Sequence, residues 1–124
     1  MDARIILLVG IGGALGSVLR YLVTEILPSE YLPYGTITVN LLGSMLLGIM
    51  FGAVAADAVM NKEFILLFGT GLLGAFTTMS AFAMESVTLT ENNFSTTFFY
   101  VIITVFGSLS LAWFGYKIGF FAFS

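Results

Sequence analysis

Four apolar runs fill this chain almost end to end, at about 4–27, 34–56, 62–89 and 94–121. Each is long enough to cross a hydrocarbon layer, which takes about 20 helical residues. Backbone in lipid must satisfy its own N–H and C=O groups, so runs of this kind fold as helices. Charged residues make up only 9% of the 124 and hydrophobic ones 59%, whereas soluble domains carry roughly a quarter charged. The expected fold is an all-α membrane protein, a single four-helix transmembrane domain over 1–124 in a lipid bilayer, with no room for a soluble domain. The first run is not read as a cleaved leader. It is too long, it carries Arg20, and it has no small-residue cleavage site before Leu27.

Short polar turns join the runs. Pro28, Ser29, Glu30 and Pro33 form the first; 57–63 forms the second, with Asn61 placed to cap the next helix; Glu91, Asn92 and Asn93 form the third. Asn93-Phe94-Ser95 matches a glycosylation acceptor, a match too short to carry weight. The chain has no cysteine and no histidine, which excludes disulfides, thiolate metal sites and imidazole chemistry. Its net charge of −3 arises from few groups and offers no basic face for nucleic acid. Arg4, Lys62 and Lys117 belong to the side that carries both termini and Arg20 toward the other, a weak bias placing the termini in the cytoplasm. No enzyme chemistry is legible, because the carboxylates sit at or near span ends and no nucleophile has a base beside it.

The third run is a poor ordinary helix at its centre. Gly71 and Gly74 are followed by Thr77, Thr78 and Ser80, which lower helix propensity or offer the backbone competing hydrogen bonds. The third helix is expected to break near 74–78, close to mid-membrane. Irregular backbone survives at that depth only where protein buries it or it lines a polar cavity, so the break marks a candidate ion site.

Other polar residues stand out against the apolar background. Gly12 and Gly16, and Ser44, Gly48 and Gly52, are small-residue ridges for close helix packing. Thr36 and Asn40 share a face of the second span. For Asn40 two readings stand side by side, an interhelical hydrogen bond and pore lining. Tyr100, Thr104 and Ser108 form one stripe at i, i+4 and i+8. Single hydroxyls in membrane helices usually bond back to their own carbonyls, yet three on one stripe suit a hydrated path. Arg20 lies inside the membrane or at its edge, where it either snorkels or serves a function. Glu85 sits at a similar depth, so an Arg20–Glu85 pair is a geometric option.

Sorted by depth, the polar residues are lopsided. Arg20, Thr36, Asn40, Ser80, Glu85, Tyr100 and Thr104 belong to one half of their spans, and Thr77, Thr78 and Ser108 to the centre. The other half has little beyond Thr70, Ser110 and Tyr116. One chain thus lines half a route well, and an inverted copy would supply the rest, which predicts an antiparallel homodimer. A lining of amide, hydroxyl and aromatic ring edges, with no ring of acids, reads as an anion path. Cation selection by carbonyls at the break is the alternative left open by the residues alone.

Three motifs, taken together, resemble the Fluc (CrcB) fluoride channel family over essentially the whole chain. They are Gly12-Gly13-Ala14-Leu15-Gly16-Ser17-Val18-Leu19-Arg20-Tyr21, then Gly35-Thr36-Ile37-Thr38-Val39-Asn40-Leu41-Leu42-Gly43-Ser44, then the stretch from Gly71 to Phe82. The resemblance implies a fluoride-selective channel in a bacterial inner membrane, built as a dual-topology homodimer with two pores. It implies a structural, non-transported Na⁺ held by backbone carbonyls of Gly74 and Thr77 from both subunits. Asn40, Phe82, Ser80, Thr36, Tyr100, Thr104 and Ser108 would line the pore, and Arg20 and Glu85 its vestibule. The family's third motif reads G-x-x-G-x-x-T-T-F-S-T-F. Here Met79 stands for the first phenylalanine and Ala81 for the threonine before the second, so both departures fall on the ion path. They are expected to leave folding intact and to bear on fluoride throughput. A small proton-coupled drug exporter, the competing four-span reading, needs a titratable carboxylate within its first span, and this chain has none there before Glu25.

Overall fold

A computed structural model describes residues 2–124. Four segments are long and apolar enough to cross a membrane. Helix α1 spans Ala3–Ile26 and α2 spans Tyr34–Ala55. The third crossing, Lys62–Asn92, is made of two helices. We call its first part, 62–76, α3 and its second, Met79–Asn92, α4; Thr77 and Thr78 lie between them in extended conformation. Helix α5 spans Phe94–Phe123. The expected spans and the mid-membrane break are thus present, with ends shifted by a few residues.

Local chemistry sets the ends. The Asn61 side chain accepts from the Glu63 N–H at 2.7 Å, as its position in the turn predicted. The Asn93 side chain accepts from Ser95 and Thr96 N–H groups, so the nominal glycosylation asparagine is a helix cap. Helix α2 ends where Asp57 takes φ 60°. The amides of Asp57 and Ala58 then turn back onto Val54 and Ala53 carbonyls at 3.0 Å, which satisfies the last orphan acceptors.

Helix α3 is not a plain α-helix. Lys62–Phe64 and Gly74–Phe76 are α-helical, but Ile65–Leu73 is wound as a π-helix. The Gly74 N–H reaches the Gly69 carbonyl five residues back. Gly69, Gly71 and Gly74 carry no Cβ and so reduce the cost of such a widened turn. The widening was not anticipated from sequence, where only the interruption was expected.

Two glycine-lined crossings hold the helices together. On α1, a Cβ at Gly12 or Gly16 would collide with the backbone of Leu67 or Leu72; a Cβ at Gly71 would come within 2.8 Å of the Val9 carbonyl. On α2, Gly48 and Gly52 press against backbone of Ala112 and Tyr116, while Gly115 and Gly119 of α5 press in return against Met45 and Ile49. Bare backbone on both sides lets the helices approach closely, which replaces the hydrophobic drive that lipid does not supply. The Gly48–Gly52 ridge was legible in advance; its partner, spaced four apart in the same way, was overlooked. Between the crossings lies a small core of Val39, Leu73 and Phe76, packed by Val23, Leu47 and Leu72.

These contacts predict unequal costs for the same substitution. Gly119→Ala forces a methyl onto the Ile49 carbonyl and is expected to cost roughly 1–3 kcal/mol. Gly10→Ala, whose new methyl meets nothing within 4 Å, is expected to cost nothing measurable. Thermal unfolding in detergent followed by circular dichroism checks both.

Candidate functional site

The break is the place where backbone polarity must be satisfied inside the membrane. The Asn40 side chain does most of this. Its Oδ1 accepts from the Thr78 N–H at 2.8 Å, and its Nδ2 donates to the Thr78 carbonyl at 3.0 Å, in a buried setting. The amide thus pairs with one residue of extended backbone as a neighbouring strand would. Thr78 in turn starts α4, its hydroxyl accepting from the Ala81 N–H at 3.2 Å. Of the two readings of Asn40, the interhelical hydrogen bond is realised. One amide hydrogen is left over, and it belongs to a residue on the wall of a cavity.

That cavity has a volume of about 250 Å³. Helix α2 contributes Asn40 and Ser44, the break Thr77 and Thr78, α4 Met79 and Phe82, and α5 Thr104, Val105 and Ser108. Its most informative members are two hydroxyls. Ser17, Thr77, Ser86, Thr88, Thr90 and Thr97 all bond back to a carbonyl four residues earlier, as hydroxyls in membrane helices usually do. The Thr104 and Ser108 hydroxyls are buried and have no hydrogen-bond partner. Buried, one turn apart and without a partner among the described residues, they are unsatisfied polar groups on the cavity wall that call for an explanation.

A second cluster sits one turn toward the first loop. Glu85 Oε1 accepts from the Thr36 hydroxyl at 2.7 Å and from the Tyr100 hydroxyl at 3.3 Å. Tyr100 is fully buried and Thr36 is 2% exposed. The Phe82 and Tyr100 rings meet edge-on with centroids 5.2 Å apart, which ties this cluster to the cavity wall. Of the residues singled out from sequence, the structure therefore brings Asn40, Met79, Phe82, Thr104 and Ser108 to one cavity, and Thr36, Glu85 and Tyr100 to an adjoining knot. Ser80 is exposed, its hydroxyl 3.3 Å from that of Thr78. Met79 is 75% exposed at the cavity's edge.

The Arg20–Glu85 pair does not form. The Arg20 Nε donates instead to the Ala75 carbonyl at 3.1 Å, while Glu85 is held by α2 and α5 hydroxyls. Equal depth did not mean facing sides: α1 packs on α3, and Glu85 on α4 looks the other way. Among the described residues the ion pair that does form joins Arg4 to Glu63 at the start of α1 and α3. Both partners are substantially exposed, so it adds little stability.

The break also frees acceptors. In an unbroken helix the Gly74 carbonyl would accept from the Thr78 N–H and the Thr77 carbonyl from the Ala81 N–H. Here those two amides go to Asn40 Oδ1 and Thr78 Oγ1. Neutral carbonyl oxygens of this kind are ligands for hard cations. No group of three or more acidic residues, cysteines or histidines suited to a transition metal occurs among the described residues.

Comparison with known proteins places these features in a family. The family described as CrcB-like protein, Camphor Resistance (CrcB), matches residues 7–116. A Thermotoga petrophila protein named fluoride-specific ion channel FluC is 42% identical over 117 residues, covering 91% of this chain and 92% of its own. A Methanococcus maripaludis protein of the same name is 40% identical over 114 residues, covering 90% and 93%. A Vibrio campbellii protein, also so named, is 35% identical over 114 residues, covering 89% and 90%. With its four crossings, broken third span and motif-bearing cavity, this chain belongs to the CrcB-like family of multi-pass membrane proteins.

Proposed function

We propose that the chain is a fluoride-selective channel that lets F⁻ leave the cytoplasm passively, down its electrochemical gradient. The observation that carries this reading is the pair of buried, partnerless hydroxyls of Thr104 and Ser108 on the cavity wall. Fluoride is the smallest and most strongly hydrated halide, so it enters a dry passage only where hydrogen-bond donors replace its water. Thr104, Ser108 and the spare Asn40 amide hydrogen supply such donors, and the Phe82 ring edge adds partial positive charge. Chloride is larger and a weaker acceptor, and gains less from the same groups. The curated relatives carry fluoride-specific channel names, which supports the same assignment. Met79 lines the route with bulk and polarisability in place of a fixed ring edge. Ser80, Thr36 and Tyr100 extend the polar lining toward Glu85, one vestibule group; Arg20, held on the α1–α3 side, is the other.

The working unit is an antiparallel homodimer. Each chain is polar along one half of its depth, Met79 is exposed at the edge of the cavity, and Gly74 of the break is exposed as well. An inverted second copy covers that side and supplies the missing half. The freed carbonyls of Gly74 and Thr77 from the two breaks then face the shared axis and hold a structural Na⁺, whose charge offsets the crowded carbonyl dipoles. The drug-exporter reading draws no support, since α1 has no carboxylate before Glu25.

Fluoride efflux from proteoliposomes, read with an ion-selective electrode, tests the assignment directly. The wild-type chain is expected to pass fluoride and hold back chloride; equal passage of both would sink selectivity, and a proton requirement would restore the exporter. Thr104→Val with Ser108→Ala is expected to slow fluoride efflux by about tenfold or more, on the order of two lost hydrogen bonds, with the melting temperature unchanged. Asn40→Leu is expected to lose both flux and roughly 2–4 kcal/mol of stability, because it strands the Thr78 N–H and C=O together. Replacing Na⁺ by a bulky organic cation is expected to abolish efflux from either orientation. A monomeric mass in detergent, determined by light scattering, would contradict the dimer.

A further inference from the structure

The Arg20 side chain does something that a vestibule charge alone does not require. Its Nε donates to the Ala75 carbonyl, a part-buried bond linking residues 55 positions apart. Ala75 lies between Gly74 and Thr77, the two residues whose carbonyls the break sets free. Its own backbone donor in a continuous helix would be the Met79 N–H, but Met79 begins the next helix. Arg20 therefore supplies the donor that the break removes, and places a positive charge at the C-terminal end of α3, where the helix dipole favours it.

The guanidinium is delivered there by a rigid route. Gly16 and Arg20 are one turn apart on the same face of α1, and Gly16 is locked against the Leu72 backbone of α3. Among the described residues no carboxylate pairs with Arg20, and Glu85 is engaged by Thr36 and Tyr100. One of the loosened carbonyls is thus fixed by protein, while its neighbours at 74 and 77 remain for another ligand.

We propose that Arg20 is a positioning residue for the cation site, holding Ala75 so that the flanking Gly74 and Thr77 carbonyls stay in a fixed, cation-ready arrangement. The proposal rests on the Na⁺ reading given above. It differs in sign from a purely electrostatic role. If Arg20 acted only as a charge, removing it would relieve repulsion and tighten Na⁺ binding or leave it unchanged. If Arg20 positions the carbonyls, removing it weakens Na⁺ binding.

The full-length protein in detergent, titrated with Na⁺ against N-methyl-D-glucamine at constant ionic strength, separates the two. Thermal unfolding followed by the single tryptophan, Trp113, reports Na⁺ binding without any flux measurement, since a ligand of the native state raises its melting temperature. The wild type is expected to be stabilised by Na⁺ with a defined half-saturating concentration. Arg20→Ala is expected to raise that concentration about tenfold, the order of one lost hydrogen bond from a charged donor. Arg20→Gln, which keeps an N–H donor without the charge, is expected to raise it only about threefold, and it carries the comparison where the alanine variant does not fold. Half-saturation that is unchanged or lower in either variant overturns the positioning role while leaving the Na⁺ site in place. A wild type indifferent to Na⁺ overturns the cation reading itself, and this role with it.

Discussion

A peptide backbone interrupted in the middle of a membrane depends on one side chain here. Hydrocarbon offers no water to the freed N–H and C=O groups, and leaving them unpaired costs several kcal/mol each. Asn40 reaches from α2 and pairs with both backbone groups of Thr78, so the extended residues at 77 and 78 persist at a depth where only helix is otherwise stable. Much of the polar arrangement around the break follows from that pairing. It takes the Thr78 amide away from the Gly74 carbonyl, starts α4 with the Thr78 hydroxyl as its cap, and leaves the α2 amide on the wall of the cavity.

The break is held at its other end by packing and by the Arg20 hydrogen bond to the Ala75 carbonyl. The π-wound turns of α3 lie directly on the glycine face of α1, with Gly12, Gly16 and Gly71 admitting backbone where any side chain would intrude. Gly43 of α2 performs the same service for Thr77, whose methyl would otherwise meet a Cβ. The matched glycine ridges of α2 and α5 fix the opposite wall. Close approach gives these helices dispersion contacts that lipid tails do not match.

Within this frame the hydroxyls divide into two populations. Several return their proton to a carbonyl one turn back and become electrically quiet. Thr104 and Ser108 do not, although nothing in their local sequence distinguishes them from the others. Their carbonyls belong to the same α5 that contributes Tyr100 to the Glu85 knot, and their side chains look into space shaped by three other elements. The unpaired donors of this cavity are thus a property of the assembly of α2, α4 and α5, concentrated where they meet an aromatic edge.

Much of this was written in the chain itself. Runs of apolar residues of membrane-spanning length set the number of crossings, and Gly74 with Thr77 and Thr78 set where the third would break, because both are local effects of hydropathy and backbone propensity. The motifs carrying Arg20, Asn40 and Phe82 pointed to the family before any geometry was known. Partner choice was another matter. Depth along a helix gave Arg20 and Glu85 the same height, but only packing set α1 against α3 and turned Glu85 toward Thr36 and Tyr100. Nor did the stripe of Tyr100, Thr104 and Ser108 reveal that its first hydroxyl is spent on a carboxylate while the other two are free. Side-chain bonding inside a membrane is decided by which neighbour arrives within about 3 Å, and that distance exists only once the helices have packed.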